Sequence, residues 1–290
     1  VSAASVRTRP DRCPGVTRPW PADDGALVRL RLIGGRISPT RLRALSRVAV
    51  THGDGDLHLT GRANLQLRAL PSYDDDGSGL VALAPEVVAA IVATGLLPAP
   101  SHDLVRNVVV SPQTGLAGGR ADLRPVADGL DALLCADPAL AALPGRFLFV
   151  LDDGRGDVAG RGCDLGLVAL DARTAQLRVG SGWGDVVPLE EAPSRLVALA
   201  RDFLAARGTE ADAAWHVTEL PDPLVAPAPP DERALVRSPP PAYGAVAGGW
   251  HHEAVNGVLT AGDVEALAER AGDVLVVTPW RGVLVPEVAR

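Results

Sequence analysis

Leu57-His58-Leu59-Thr60-Gly61-Arg62-Ala63-Asn64-Leu65-Gln66-Leu67-Arg68 alternates apolar and polar residues without a break. On an extended strand, Leu57, Leu59, Gly61, Ala63, Leu65 and Leu67 share one face. His58, Thr60, Arg62, Asn64, Gln66 and Arg68 share the other. That polar face holds two arginines, two carboxamides and no acid. Such a set suits hydrogen bonding to an anionic, oxygen-rich group. A plain solvated strand face is the competing reading of the same pattern.

Upstream, residues 26–33 read as a strand. Ser38 is an N-cap, Pro39 takes the first helical position, and Leu42, Leu45, Val48 and Ala49 form an apolar stripe. A Gly/Asp turn at residues 52–56 leads into the quoted stretch, which makes a strand–helix–strand unit. The far end echoes it. Gly257-Val-Leu-Thr-Ala-Gly-Asp-Val-Glu-Ala-Leu parallels Gly35-Arg-Ile-Ser-Pro-Thr-Arg-Leu-Arg-Ala-Leu. Thr260 stands for Ser38 as cap, and Val264, Leu267 and Ala271 stand for Leu42, Leu45 and Ala49. Asp263 adds an acid to the first turn. A shorter turn, Gly272-Asp273, precedes a strand over residues 274–285, and Thr278 takes the place of Thr60. The order of cap, stripe, turn and strand indicates a duplicated half-domain.

Between the copies lies a mixed α/β stretch. Residues 85–95 read as a helix with Val88, Ile91 and Val92 facing inward and Gly95 as the stop. Residues 125–135 and Ala192–Arg207 read as helices, and 146–152 and 165–170 as buried strands. Pro-rich residues 221–241 read as a linker. The expected organisation is an irregular segment (1–20), a first half-domain (21–72), a central α/β region (73–220), the linker (221–241) and a second half-domain (242–290).

The 290 residues suffice for two or three small domains. The net charge of −7 argues against generic nucleic-acid binding, so any anion must be met by a local group of arginines. No apolar run approaches the length of a membrane span. Cys13, Cys135 and Cys163 form no CxxC pair and no disulfide framework, which suits a reduced, cytoplasmic setting. Cys135 reads as a buried helix residue.

Two further polar groups open apolar strands. Arg106-Asn107 precedes Val108-Val109-Val110, with ordinary turn polarity as the alternative. Arg146 follows Leu143-Pro144-Gly145 and precedes Phe147, either pointing into a site or lying on the surface. Gly154-Arg-Gly-Asp-Val-Ala-Gly160 has the wrong spacing for a dinucleotide loop and reads as a turn. His251-His252-Glu253 reads as a solvated turn, and no metal site is expected.

Thr60-x-Arg62-x-Asn64-x-Gln66 resembles the signature strand of the sirohaem-dependent nitrite and sulfite reductases. Arg106-Asn107-Val108 and Leu143-Pro144-x-Arg146-Phe147 resemble that superfamily's second and third sirohaem-contacting segments. Cys13-Pro14-Gly15, Asp24 to Arg31, Phe147 to Asp157 and Thr278-Pro279-Trp280-Arg281 bring the match nearest to the precorrin-3B synthase family. The resemblance implies an α+β fold. In it, two ferredoxin-like half-domains flank a tetrapyrrole-binding region, and the ligand lies where Arg62, Arg106 and Arg146 converge. It implies sirohaem or another tetrapyrrole, a 4Fe-4S cluster and an external electron donor. The activity implied is O2-dependent hydroxylation of precorrin-3A in cobalamin synthesis. A nitrite or sulfite reductase fragment and a non-catalytic tetrapyrrole-binding relative are the alternatives. Thr60, Arg62, Asn64, Gln66, Arg106, Asn107 and Arg146 are the residues expected to hold the tetrapyrrole, because arginine can grip a carboxylate with two parallel hydrogen bonds. No catalytic residue is singled out. Two departures stand out. Leu148 occupies the position where the reductases carry a second basic residue, two after the one matched by Arg146. The family's Cys-x5-Cys and Cys-x3-Cys cluster ligands are absent, so the chain is expected to be either a fragment or a cluster-free relative.

Overall fold

The structure is a computed structural model that describes residues 13–73, 81–210 and 213–287. Most of the expected irregular start, residues 1–12, lies outside these. The chain divides into two compact units, one of Cys13–Asp103 with Pro240–Arg290 and one that includes Leu104–Pro239.

The first unit begins with a hairpin of β1 (Trp20–Ala22) and β2 (Gly25–Leu30). The short β3 (Arg36–Ile37) leads to α1 (Pro39–His52). The Ser38 side chain accepts from Arg41 N, and Leu42, Leu45, Val48 and Ala49 are buried as the stripe predicts. The quoted stretch is then not one strand. It forms β4 (Leu57–Leu59) and β5 (Leu65–Leu70), an antiparallel pair with His58 opposite Gln66 and Leu59 opposite Leu65. Thr60 reverses the chain. Its hydroxyl accepts from Arg62 N at 3.4 Å and Asn64 N at 3.1 Å, while its own N–H donates to Asn64 O at 3.0 Å. A hydroxyl that captures amides two and four residues on competes with extension. Ala63 closes the turn at φ 57°. The alternation misleads because both arms send their leucines into the same core: Leu57, Leu59, Leu65 and Leu67 are all buried.

A small pair, β6 (Ser72–Tyr73) and β7 (Ala82–Leu83), precedes α2 (Pro85–Ala93). This helix buries Val87 and Ile91, an i,i+4 pair, and leaves Val92 48% exposed. Its inward stripe is therefore turned from the expected Val88/Ile91/Val92 face. Val87 and Ile91 join the core of the first unit, so the units divide after Asp103 and not at residue 73.

The second unit is a sheet of β8 (Val108–Val110), β9 (Phe149–Asp152), β10 (Leu165–Ala169), β11 (Thr174–Val179) and β12 (Gly182–Pro188), in the order β12-β11-β10-β9-β8. β8, β9 and β10 run parallel, and β11 and β12 continue antiparallel. Two helices belong to this unit, α3 (Arg124–Ala136) and α4 (Ala192–Arg207). Phe147 meets Phe149 and Phe203 at ring distances of 5.3 and 5.0 Å in the core. Cys135 lies on α3 as expected but is only half-buried. The Pro-rich stretch is pinned to this sheet. Ala228 N donates to Trp183 O, and the Gln176 carboxamide bonds both Pro229 O and Asp231 N. Gln176 can do this because an amide both donates and accepts.

The chain then completes the first unit with β13 (Gly244–Val246), β14 (Gly249–Glu253), β15 (Val258–Leu259), α5 (Ala261–Arg270), β16 (Leu275–Val277) and β17 (Gly282–Pro286). Thr260 caps α5 in a reciprocal box with Asp263. Thr278 repeats Thr60: its N–H donates to Gly282 O, its hydroxyl accepts from Gly282 N, and Arg281 takes φ 63° where Ala63 has 57°. The halves exchange their short strands. β15 of the second extends the sheet β1-β2-β5-β4-β15, and β3 of the first extends β13-β14-β17-β16-β3. The architecture is α+β, with a duplicated half-domain and a separate α/β unit. Among the described residues no helix is long and apolar enough to cross a membrane.

Candidate functional site

On the outer face of the first sheet, β2, β5 and β4 align Arg29, Gln66 and His58 in one row. The residues between them, Val28, Leu30, Leu65 and Leu67, are buried on the other face. Arg29 Nη2 donates to Gln66 Oε1 at 3.5 Å, and Arg29 Nε is buried with no hydrogen-bond partner among the described residues. Arg31, 3% exposed, donates to Pro14 O and Arg29 O and faces Asp103 at 3.8 Å. Burial lowers the Arg31 pKa to about 10, partly offset by Asp103, while the charges of Arg29 and Arg62 press it further down. Burial also lowers that of Arg29, and Arg62 adds to the effect. Arg29, Gln66 and Arg62 therefore give this face cationic and amide donors suited to an incoming polyanion, while Arg31 is committed to Pro14 O, Arg29 O and Asp103.

The other expected residues of this stretch are built into the hairpin. Thr60 commits its hydroxyl to the turn, and half-buried Arg62 sits at the tip. Asn64 is fully buried, and its side-chain oxygen accepts from Leu32 N at 2.9 Å. Arg29 and Arg31 lie outside the motif that marks Arg62, Asn64 and Gln66 in the sequence. The signal was present, since they alternate with Val28 and Leu30 as Arg62 and Asn64 alternate with Ala63 and Leu65.

The duplicated half has lost this face. Register places His251 opposite Leu284, as Arg29 stands opposite Gln66. His251 is not in a solvated turn; it lies on β14 and is 1% exposed. Nδ1 contacts the Pro241 and Ala242 carbonyls, Nε2 contacts Thr278 Oγ1 at 3.0 Å, and the Tyr243 ring lies 4.7 Å away. Carbonyls can only accept, so Nδ1 carries the proton and Nε2 accepts from the threonine.

Arg62 belongs to the first unit, and Arg106 and Arg146 to the second. Arg106 forks onto Asp131 of α3, with Nε–Oδ1 at 2.6 Å and Nη2–Oδ2 at 2.8 Å. Burial opposes its charge, but this pair outweighs burial and raises its pKa. Asn107 donates to Leu104 O and Gly145 O, which fixes the turn that presents Arg146. Arg146 is exposed, its guanidinium 5.7 Å from the centre of the Trp215 ring. The neighbouring His216 contacts buried Asp164 Oδ1 through Nδ1 at 3.0 Å. That bond raises the His216 pKa, partly countered by burial and by the charge of Arg146. No sequence signal marks this pair, because 52 residues separate its members.

Asp152, Asp153 and Asp157 bring carboxylate oxygens within 4.8 Å of one another. Asp152 accepts four backbone N–H groups, from Gly154, Gly156, Val158 and Ala159. The Arg155 guanidinium grips Asp153 through Nε and Nη2 and already supplies a cation. The Gly154–Gly160 stretch is thus a carboxylate-centred turn with no helix after it. None of the three cysteines is in a disulfide: Cys13 lies in the first unit, Cys135 and Cys163 in the second. Burial raises the thiol pKa of Cys135, and raises that of Cys163 to about 11. A cubane needs four ligands, usually thiolates, and these residues do not fit one. A carboxylate-rimmed group fits the arginine face, where Arg29 Nε awaits an acceptor.

Residues 21–74 match the nitrite/sulfite reductase ferredoxin-like half domain, and the chain carries this fold. The chain is similar to a precorrin-3B synthase of Sinorhizobium sp., 29% identical over 184 residues, covering 61% of this chain and 35% of the relative. The structure of the Mycobacterium tuberculosis NirA protein superposes with a TM-score of 0.70 at 17% identity, covering 99% of this chain and 61% of that one. The likeness to NirA is one of fold. The stretch matched in the curated relative spans about a third of that relative's length.

Proposed function

We propose that the chain is an oxidoreductase of the precorrin-3B synthase kind, holding a carboxylate-rimmed tetrapyrrole on the outer face of β2 and β5. One observation carries this reading: Arg29 stands opposite Gln66, with its Nε buried and lacking a hydrogen-bond partner among the described residues, and the charge of Arg62 lies near enough to lower the pKa of both Arg29 and Arg31. The Arg29 and Arg62 guanidinium groups can each meet a carboxylate with two hydrogen bonds, and Gln66 can orient one without adding charge. The reaction is hydroxylation of precorrin-3A. One atom of O2 enters the ring and the other leaves as water, with two electrons drawn from an external donor. A 4Fe-4S cluster is no part of what this chain's own cysteines can hold. That cysteine set favours one second reading, a non-catalytic tetrapyrrole binder.

The test is titration with uroporphyrin, an octacarboxylate porphyrin, followed by absorbance. Arg29→Ala and Arg62→Ala should each weaken binding by roughly tenfold, the worth of a charge-assisted hydrogen bond. Binding equal to the parent in both would overturn the site. O2-dependent turnover of precorrin-3A with a reduced donor separates enzyme from binder, and turnover of sulfite or nitrite would favour a reductase.

A further inference from the structure

Residues 216–228 cross the second unit as a strap whose two ends are fastened by different chemistry. At the far end, Ala228 N donates to Trp183 O at 3.0 Å, and the Gln176 carboxamide holds Pro229 O and Asp231 N just beyond. Amides do not titrate, so this end is indifferent to pH. At the near end the bonds converge on the fully buried Asp164. Its Oδ1 accepts from Val217 N at 3.1 Å and meets His216 Nδ1 at 3.0 Å, while Oδ2 accepts from Leu148 N at 2.9 Å. A carboxylate can only accept, so Nδ1 carries a proton whenever this bond is made. Between the ends, residues 221–227 make no hydrogen bond among the described residues. Pro221, Pro223 and Pro227 have no N–H and restrict the backbone, which makes this segment stiff. Beneath it, against the hairpin of β11 and β12, lies a cavity of about 330 Å³ lined by Val179, Gly182, Leu220 and Val225 among others.

We propose that this strap is a pH-operated cover on the cavity: charged His216 latches the near end onto Asp164, and loss of the Nε2 proton releases that end while Ala228 stays in place. The latch weakens for two reasons. The neutral ring trades a charge-assisted hydrogen bond for an ordinary one. It also gains a second tautomer, protonated at Nε2, that turns a lone pair toward the carboxylate and cannot make the bond. Val217 N shares Oδ1 with the ring, so it is the backbone group that reports release. The charged groups set about the ring are Asp164, just before β10, and Glu219, in the first turn of the strap, which both favour its cation. Arg146, in the loop before β9, opposes it. Glu219 is held close because Oε2 accepts from Trp215 N at 2.7 Å. The hydrogen bond to Asp164 outweighs burial and raises the imidazole pKa. Latching is therefore complete below about pH 6.5, the ordinary imidazole value, and is lost as pH rises through the raised one.

Hydrogen exchange of the full chain tests the latch at about pH 6 and about pH 9, values that bracket an imidazole raised above its ordinary range. The readout is the protection of the Val217 and Ala228 amides relative to an unstructured peptide at the same pH. In the parent, Val217 protection should fall roughly threefold to tenfold between the two values, with Ala228 unchanged. That is the difference between a charge-assisted and a neutral hydrogen bond for a ring that water partly screens. His216→Gln should show low Val217 protection at both values. His216→Lys, a cation throughout this range, should keep it high at both. Val217 protection that stays level in the parent overturns the proposal, and so does a fall that persists in His216→Gln. An equal fall at Ala228 overturns it too, because the whole unit would then be loosening and the strap would have no fixed end.

Discussion

At the scale of single residues, side chains that read alike in sequence divide into those that bind the fold and those that face outward. Asn64 belongs to the fold, since its side-chain oxygen is the acceptor for the buried Leu32 N–H. Asn64→Ala should therefore cost about 1–3 kcal/mol of stability, the penalty for stranding a buried donor. Urea denaturation reads this loss, and a stability equal to the parent would refute the role. Asp157 is the clearest pH-dependent residue. Its side chain is 2% exposed, Oδ1 accepts from Ser111 Oγ at 2.7 Å, and Oδ2 has no hydrogen-bond partner among the described residues. Burial raises its pKa to about 7, helped by the charges of Asp152 and Asp153 and opposed by Ser111 and Arg155. The folded chain therefore holds this proton more tightly than the unfolded chain, whose aspartates titrate near 4. The stabilisation is complete below about pH 4 and lost as pH climbs through about 7. Asp157→Asn removes the titration. Its stability relative to the parent should rise by on the order of 2–4 kcal/mol between about pH 5 and pH 8. Denaturation midpoints that move in parallel for the two proteins would exclude the effect.

At the scale of elements, the duplication allows equivalent positions to be compared directly. Gly35 and Gly257 both precede the short exchanged strands, at φ 72° and 73°. A side chain at either pays the left-handed backbone cost of about 1–2 kcal/mol. The surroundings then differ. A Cβ at Gly35 would press on the Val277 carbonyl oxygen, which is backbone and cannot swing away. A Cβ at Gly257 meets Arg281 Cδ at 2.9 Å, the middle of a flexible side chain. Gly35→Ala should cost about 3 kcal/mol or more and Gly257→Ala about 1–2 kcal/mol, as read from thermal unfolding. Equal costs would mean that β3 and β16 can part to admit a methyl group. The duplication itself was legible because cap, stripe and turn are local signals: Ser38 and Thr260 cap their helices as the sequence indicates. The hairpin at Thr60 was not legible, because its two apolar arms keep one alternation across the turn. The arginine face was half legible. Arg62 stood out in its motif, whereas grouping it with Arg29 and Arg31 needed the pairing of β2 with β5. The Asp164–His216 pair was hidden, since contacts across so long a separation leave no periodic trace.

At the scale of the molecule, the exchange of β3 and β15 decides what can fold alone. The core of the first unit draws Leu30, Leu42, Leu65 and Val87 from one half together with Leu259, Val264, Leu275 and Val283 from the other. α1 and α5 are also joined at the surface, where Arg43 pairs with Glu265. That pair is exposed and adds little, so burial of the shared apolar side chains holds the halves together. Residues 13–103 without 240–290 would lose the strand that β4 pairs with and the strand that β3 pairs with, and would expose the apolar face that α5 covers. Unpaired edges and an open core favour aggregation over folding. The second unit has no such debt. Its sheet is complete within 104–239, its three phenylalanines pack among themselves, and its Pro-rich tail is bonded to its own Trp183 and Gln176. Expressed separately, 104–239 should unfold in urea as one cooperative transition with coincident fluorescence and circular-dichroism curves. Residues 13–103 should show no such transition unless 240–290 is supplied alongside. A cooperative transition in 13–103 alone would mean that a single half-domain can close its own core, and that the exchanged strands are trimming and not structure.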